Sequence, residues 1–278
     1  MPICTPLRLV QQAGSKSQIV PGFNVGNMEM VRGVVQAAEE SNTAVILQIA
    51  EKRLAASPLH LLAPMMVSAA RSAKVEVAVM LDHGESVSVI KEALDYGFSG
   101  IMFDGSGLPL NENIRKTMEI KELARQYGAV VEGEIGVLAG SEGGPEMEAL
   151  YTSVPEAVLF AQSNCCDMLA VSIGNAHGHY KGKPKLNFDI LREISNQVET
   201  PLVLHGGSGI PLEDFAKAAQ MGIRKVNIAT ANFDALTKGA RETFDSNLNA
   251  DYFTLSETMT DYVRKNTLRH IEMFTKFQ

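Results

Sequence analysis

The sequence has no apolar run long enough to cross a bilayer, and its opening MPICTPLRLVQQ lacks the apolar core of a signal peptide. Cysteine is scarce: Cys4 and the adjacent Cys165 and Cys166 build no disulfide framework and lack the spacing of a cysteine zinc site. The expectation is a cytoplasmic protein with no membrane partner. Lysines and arginines are scattered rather than striped, and the net charge is -7, which argues against a nucleic-acid partner. An anionic substrate could still bind, given a metal, helix N-termini or a few placed lysines. No low-complexity tract, charge block or Pro/Gly/Ser-rich linker divides the 278 residues, so a single domain over 1–278 is expected.

What is present is a regular alternation of short apolar runs with amphipathic stretches. The runs are IVPGFNV from Ile19, AVILQIA from Ala44, VEVAVMLDH from Val75, SGIMFDGS from Ser99, AVVEGEIG from Ala129, DMLAVSIG from Asp167, PLVLHGG from Pro201 and RKVNIAT from Arg224. They are rich in Val, Ile and Leu, as strands buried on both faces must be. Between them, Ser86 and Asn111 read as helix N-caps, Gly97 and Gly128 as stops, and Pro155 and Pro211 as first-turn prolines. Eight strand–helix units predict an α/β fold, a (β/α)8 TIM barrel, with an extra C-terminal helix over about Tyr252 to Phe274. An open doubly wound sheet is the alternative, but no G-x-G-x-x-G follows the first strand.

Barrel chemistry lies at the C-terminal strand ends. Those ends carry Asn24, Asp82–His83, Asp104, Glu132 and Glu134, His177, His205 and Asn227. Three of the six histidines directly follow strands: His83, His177 and His205. Three neutral imidazoles leave a divalent ion its charge and an open position, the pattern of a catalytic zinc site. His179 completes a His-x-His spelling, yet it lies past a glycine and is read as a loop residue facing the substrate. His60 and His270 fall in helical patterns and read as surface or packing residues. A lone GGSG is a tight turn. Beside His205, with helix starts after it and after Asn227–Thr230, it reads as a phosphate cradle, with Lys181 adding a point charge.

LDHG, DGSGLPLNENI, VEGEIGVLAGSE, IGNAHGHYKGKPKLNFDIL, LHGGSGI and VNIAT, in that order, resemble the class II, metal-dependent fructose-bisphosphate and tagatose-bisphosphate aldolase family. The resemblance runs from about Gly22 to Thr230. It implies one zinc per subunit on His83, His177 and His205, a monovalent cation as a further option, and a homodimer or homotetramer. It implies a sugar phosphate substrate that yields dihydroxyacetone phosphate, held by Gly178, Lys181, Gly206, Gly207, Ser208, Asn227, Ile228, Ala229 and Thr230, with Asn24 nearby. Asp82 then handles the acceptor hydroxyl proton, or serves only to orient a ligand. Glu142 matches the loop glutamate that removes the donor's α-proton. Asp104 and Glu132 match acidic positions near the metal, as supports or alternative ligands.

The departures gather on the acceptor side. Ala50 replaces the usual serine and is followed by Glu51, Lys52 and Arg53; Gly107 replaces a histidine, Gly143 an acidic residue, and His179 an apolar one. Before the last helix the family carries an arginine for the distal phosphate, whereas Ala250–Glu257 (ADYFTLSE) has none. The expectation is a changed acceptor site involving Ala50, Lys52, Arg53 and His179, with an aldehyde that lacks the distal phosphate or places a carboxylate or hydroxyls near His179, Lys52 or Arg53. An ordinary bisphosphate aldolase, with another basic residue in the arginine's place, is the alternative. A barrel that has lost its chemistry would lack one of the four central residues, and none is missing. A metallohydrolase would have no need of GGSG beside NIAT.

Overall fold

The computed structural model describes residues 3–138, 151–180 and 182–275. Eight parallel strands pair in chain order and close into a barrel: β1 (Val20–Asn24), β2 (Val45–Ala50), β3 (Val77–Gly84), β4 (Gly100–Phe103), β5 (Val130–Ile135), β6 (Met168–Val171), β7 (Leu202–Leu204) and β8 (Ile223–Ile228). β8 returns to β1, with Gly22 opposite Asn227. The expected TIM barrel is therefore the observed fold. Its helices are α1 (Pro6–Gly14), α2 (Met28–Glu40), α3 (Leu59–Ser72), α4 (Val87–Asp95), α5 (Leu110–Arg125), α6 (Val154–Gln162), α7 (Phe188–Ser195), α8 (Leu212–Gln220), α9 (Thr230–Ser246) and α10 (Tyr252–Thr275). No helix among the described residues is long and apolar enough to cross a membrane.

Two apolar layers follow from strands buried on both faces. The larger lies between barrel and helices. The smaller fills the barrel floor with Ile46, Ala78, Met80, Met102, Met168, Ala170 and Val203. Above that floor the inward positions turn polar, and the site begins there.

The sequence reading missed α1, which covers the barrel's N-terminal mouth. Thr5 caps it by accepting from the Arg8 N–H at 3.3 Å, and Leu9 and Val10 join the floor cluster. A side chain at Gly100, where β4 starts, would meet Pro6 at 2.6 Å, so this glycine lets the plug sit close. The helix boundaries need two corrections. α5 starts at Leu110 after Pro109, ahead of the expected Asn111 cap. Pro211 stands at the cap position of α8, with extended ψ, rather than in its first turn. Ser86, Gly97, Gly128 and Pro155 hold the expected positions.

α10 lies on the barrel's own α2 and α9. Small residues admit it: a Cβ at Gly33 would meet Thr260 O at 2.8 Å, and one at Gly239 would meet Met259 at 2.9 Å. His270 packs inside, against the rings of Phe23 and Phe274 at 6.3 and 6.2 Å. His60 is exposed on α3.

Candidate metal and substrate site

Asp82 and His83 are successive residues at the end of β3, so regular pleating would send their side chains to opposite faces. A bulge prevents this. The β3–β4 register steps from Leu81↔Ile101 to Gly84↔Phe103, one extra residue on β3. His83 takes a left-handed φ of 43° there. Such positive φ is rare for non-glycine residues, and bulges are known to re-aim side chains beside active sites. Both side chains are buried at the rim.

His177 hangs on the loop after β6. Asn175 ties that loop to β7 by donating to His205 O at 3.1 Å. Tyr180 pins it again, accepting from Ala176 N at 3.0 Å and donating to Gly206 O at 2.9 Å. The His83 ring lies 4.8 Å from the rings of both His177 and His205, and one ligand atom from each of the three falls within 4.8 Å of the others. Asp104 Oδ2 is 2.8 Å from His83 Nδ1, and Glu132 Oε1 is 2.7 Å from His205 Nε2. These contacts assign the ring protons to the outer nitrogens and turn the other nitrogens inward.

The inward atoms fit a cation. His83 Nε2, His205 Nδ1 and Glu134 Oε2 are buried and have no hydrogen-bond partner, although His205 Nδ1 and Glu134 Oε2 stand 3.0 Å apart. Orphaned buried polar atoms are rare in native proteins, and here they share one point. Among the described residues, four carboxylates (Asp82, Asp104, Glu132 and Glu134) surround the trio, and one lysine, Lys225, offsets them. Burial pulls the His205 imidazole down, but Glu132 and Glu134 outweigh it and push its pKa up to about 9. Burial likewise opposes charge on His83, and Asp82, Asp104 and Glu134 together raise it well above the usual value. The pocket demands positive charge, which a divalent ion would supply.

By sequence alone Glu134 is only a residue of the rim. Yet it, and not Glu132, contributes to a potential metal group, with His83 and Asp104. Glu132 lies behind His205, its carboxylate held down to about 2 despite burial by Lys225 and His205. The two glutamates share a strand face, and only cross-barrel partners separate their roles.

Asp82 is clamped. Asn24 Nδ2 donates to one carboxylate oxygen and Asn227 Nδ2 to the other, each at 2.9 Å. Gln48 orients Asn24, donating to its Oδ1 at 2.8 Å. Gly22 leaves room for the set: a Cβ there would meet Gln48 Oε1 at 2.5 Å and Asn227 Oδ1 at 3.0 Å.

Beside Asp82 and His177 lies a small cavity lined by Gly178, Gly206, Ser208, Asn227, Ala229 and Thr230. A Cβ at Gly206 would meet Ala176 O at 2.1 Å, and one at Gly207 would meet Val226 at 2.4 Å. Ser208 Oγ accepts from Ala231 N at 3.1 Å, fixing the loop to the start of α9. Gly178, Ser208 and Thr230 also border an outer cavity of about 700 Å³. His179 belongs to that outer cavity, 3.5 Å from Asp234, and is outside the metal group. Of the other acceptor candidates, Ala50 pairs with Asp82 in the β2–β3 register. Lys52 bridges to Glu85 at 3.0 Å, while Arg53 stacks on Phe233 at 4.6 Å. Glu51 accepts from the backbone of Glu85 and Ser86, bracing the start of α4. Glu142 and Lys181 lie outside the described residues.

A closed parallel barrel whose C-terminal rim gathers three imidazoles for a cation has the architecture of a metal-assisted barrel enzyme. The profile of the family described as fructose-bisphosphate aldolase class-II matches residues 5–277, and the chain belongs to that family of aldehyde-lyases. It is 35% identical over 265 residues to a sulfofructosephosphate aldolase of Alkalicoccus urumqiensis, covering 92% of each chain. It is 36% identical to a 6-phospho-5-dehydro-2-deoxy-D-gluconate aldolase of Shouchella clausii, over 85% of this chain and 82% of the other. Its fold superposes on the crystal structure of the YdjI aldolase from Escherichia coli K12 with a TM-score of 0.86 and 32% identity, covering 98% of this chain and 97% of that one.

Proposed function

We propose that the chain catalyses zinc-dependent, reversible aldol cleavage of a ketose 1-phosphate-type sugar into dihydroxyacetone phosphate and an aldehyde that lacks a distal phosphate. One observation carries this reading: a clamped carboxylate, Asp82, shares a cavity with His177 and with a glycine-lined cradle at the start of α9. His83, His177 and His205 would hold the ion. When bound, it supplies Lewis acidity for the donor carbonyl and the negative charge that develops on it.

The chain's own residues do the rest. Gly178, Gly206, Gly207, Ser208 and the segment from Asn227 through Ile228 and Ala229 to Thr230 bind the donor phosphate through backbone N–H groups and the α9 N-terminus, with Lys181 adding charge. Asp82 takes the proton from the hydroxyl of the acceptor carbon as the C–C bond breaks, and returns it in condensation. Asn24 and Asn227 fix both of its oxygens. Glu142 moves the donor's α-proton.

The acceptor side supports the missing phosphate. Ala50 offers no hydroxyl beside Asp82, and Ala250–Glu257 offers no arginine. Both aldolase relatives quoted above carry names with one phosphate, and with a sulfo group or a gluconate at the other end. The competing reading, a fructose- or tagatose-bisphosphate aldolase that yields glyceraldehyde 3-phosphate, is favoured by Arg53, a guanidinium held on Phe233 close after β2. A single domain over 1–278, a homodimer or homotetramer, and a monovalent cation complete the proposal. Retro-aldol release of dihydroxyacetone phosphate from ketose 1-phosphates and from ketose bisphosphates of matched stereochemistry tests it. Bisphosphates preferred by orders of magnitude overturn the acceptor assignment; no metal-dependent cleavage of either overturns the whole reading.

A further inference from the structure

We infer that Lys225 is a positioning residue that selects which of the two β5 carboxylates the metal can use. Lys225 and Glu132 are both fully buried. Lys225 Nζ lies 2.9 Å from Glu132 Oε2 and donates to Oε1 at 3.2 Å. That same Oε1 accepts from His205 Nε2 at 2.7 Å. The pair sits where the barrel turns from apolar to polar. Val20 and Val203 flank Lys225 on the neighbouring strands, and Met102 and Met168 flank Glu132.

Stability does not explain such a pair. Two charges in an apolar barrel lose hydration that their attraction barely repays, and an apolar pair of similar volume often folds as well or better. Geometry explains it better. Glu132 and Glu134 are two residues apart on one strand, so both point into the barrel. An untethered Glu132 would be a second carboxylate within reach of the ion. Lys225 Nζ holds both oxygens of Glu132 on the floor side, and Glu134, whose Oε2 lies 3.0 Å from His205 Nδ1, is left as the carboxylate that faces the trio. The anchored Oε1 also takes the Nε2–H of His205, which leaves Nδ1 as the lone pair offered inward. Partners of this kind to metal-bound histidines change metal affinity by roughly 10–100-fold when removed.

The inference rests on the reading of the trio as the metal site, and the experiment separates the two. Zinc affinity is measured by competition with a chromophoric chelator, and Co²⁺-substituted protein gives absorption spectra. Wild type, Lys225→Met and the charge-balanced Lys225→Met/Glu132→Gln pair are compared. Wild type that binds no zinc would sink the metal reading itself, and with it the basis of this inference. Lys225→Met is expected to bind zinc roughly 10–100-fold more weakly and to show a changed Co²⁺ spectrum, because Glu132 is no longer fixed on the Nε2–H of His205. The double variant is expected within about fivefold of wild type, since the glutamine oxygen still accepts from His205 without needing a counter-charge; that window is half the smallest loss expected for the single variant. Wild-type affinity and spectrum in Lys225→Met would overturn the inference. So would a folded double variant that binds zinc roughly tenfold or more weakly than wild type, and this second arm decides the matter if Lys225→Met does not fold.

Discussion

Asp82→Asn keeps the size of the side chain and removes its charge, and the structure specifies the consequence. Each carboxylate oxygen now accepts one amide N–H at 2.9 Å, from Asn24 and from Asn227. An asparagine can satisfy only one of them and turns its own NH₂ toward the other. One hydrogen bond to a charged acceptor is lost, worth about 1.5–3 kcal/mol, partly offset because a buried charge disappears. The expected loss of stability is therefore about 1–2 kcal/mol after that offset, seen as a few degrees in the melting midpoint. The catalytic effect is larger: losing a positioned proton carrier should lower kcat for cleavage roughly 10²–10⁴-fold, or about 3–5 kcal/mol of barrier. Zinc stoichiometry should stay at the wild-type value, because Asp82 is outside both groups able to hold the ion. The discriminating assay is solvent exchange of the α-proton of dihydroxyacetone phosphate without aldehyde. That step is assigned to Glu142 and should survive in Asp82→Asn while cleavage collapses; Glu142→Gln should lose both. Cleavage within tenfold of wild type would refute Asp82 as the proton carrier and leave it a merely orienting group.

Gly22→Ala should cost about 1–3 kcal/mol by overpacking, because the new methyl meets Gln48 and Asn227. It should also lower kcat by loosening the Asp82 clamp; unchanged thermal melting and kcat would contradict the close approach. Burial holds the His270 imidazole down at about 4. With an unfolded value near 6.5, its neutral packing contributes fully above pH 6.5 and is lost as pH falls toward 4, about 3 kcal/mol in all. Urea unfolding of wild type against His270→Gln should show this acid-dependent difference, and parallel pH curves would count against it. Chelation should abolish cleavage and lower the melting midpoint, by an amount corresponding to about 4 kcal/mol if free zinc had stood at 1,000 times Kd. Added Zn²⁺ should restore both, whereas full activity in excess chelator would exclude a metal role.

The amphipathic alternation determined the barrel by itself, since eight runs apolar on both faces have few other ways to be covered. It also set out the rim, because residues just after strands in this fold must gather at one end. His83, His177 and His205, separated by up to 122 residues, were legible as a trio for that reason alone. Three things were not legible. α1 is short and lies outside the strand–helix rhythm, so nothing marked it as the plug of the floor. Glu132 and Glu134 are equivalent by period, and the difference comes from partners 73 and 93 residues away, His205 and Lys225. Lys225 itself reads as an ordinary charge ahead of the VNIAT segment; only barrel closure places it beneath Glu132. Local pattern decides which face a side chain takes. Which partner it meets, and therefore whether it binds an ion or braces a ligand, is decided when strands remote in the chain close around a common axis.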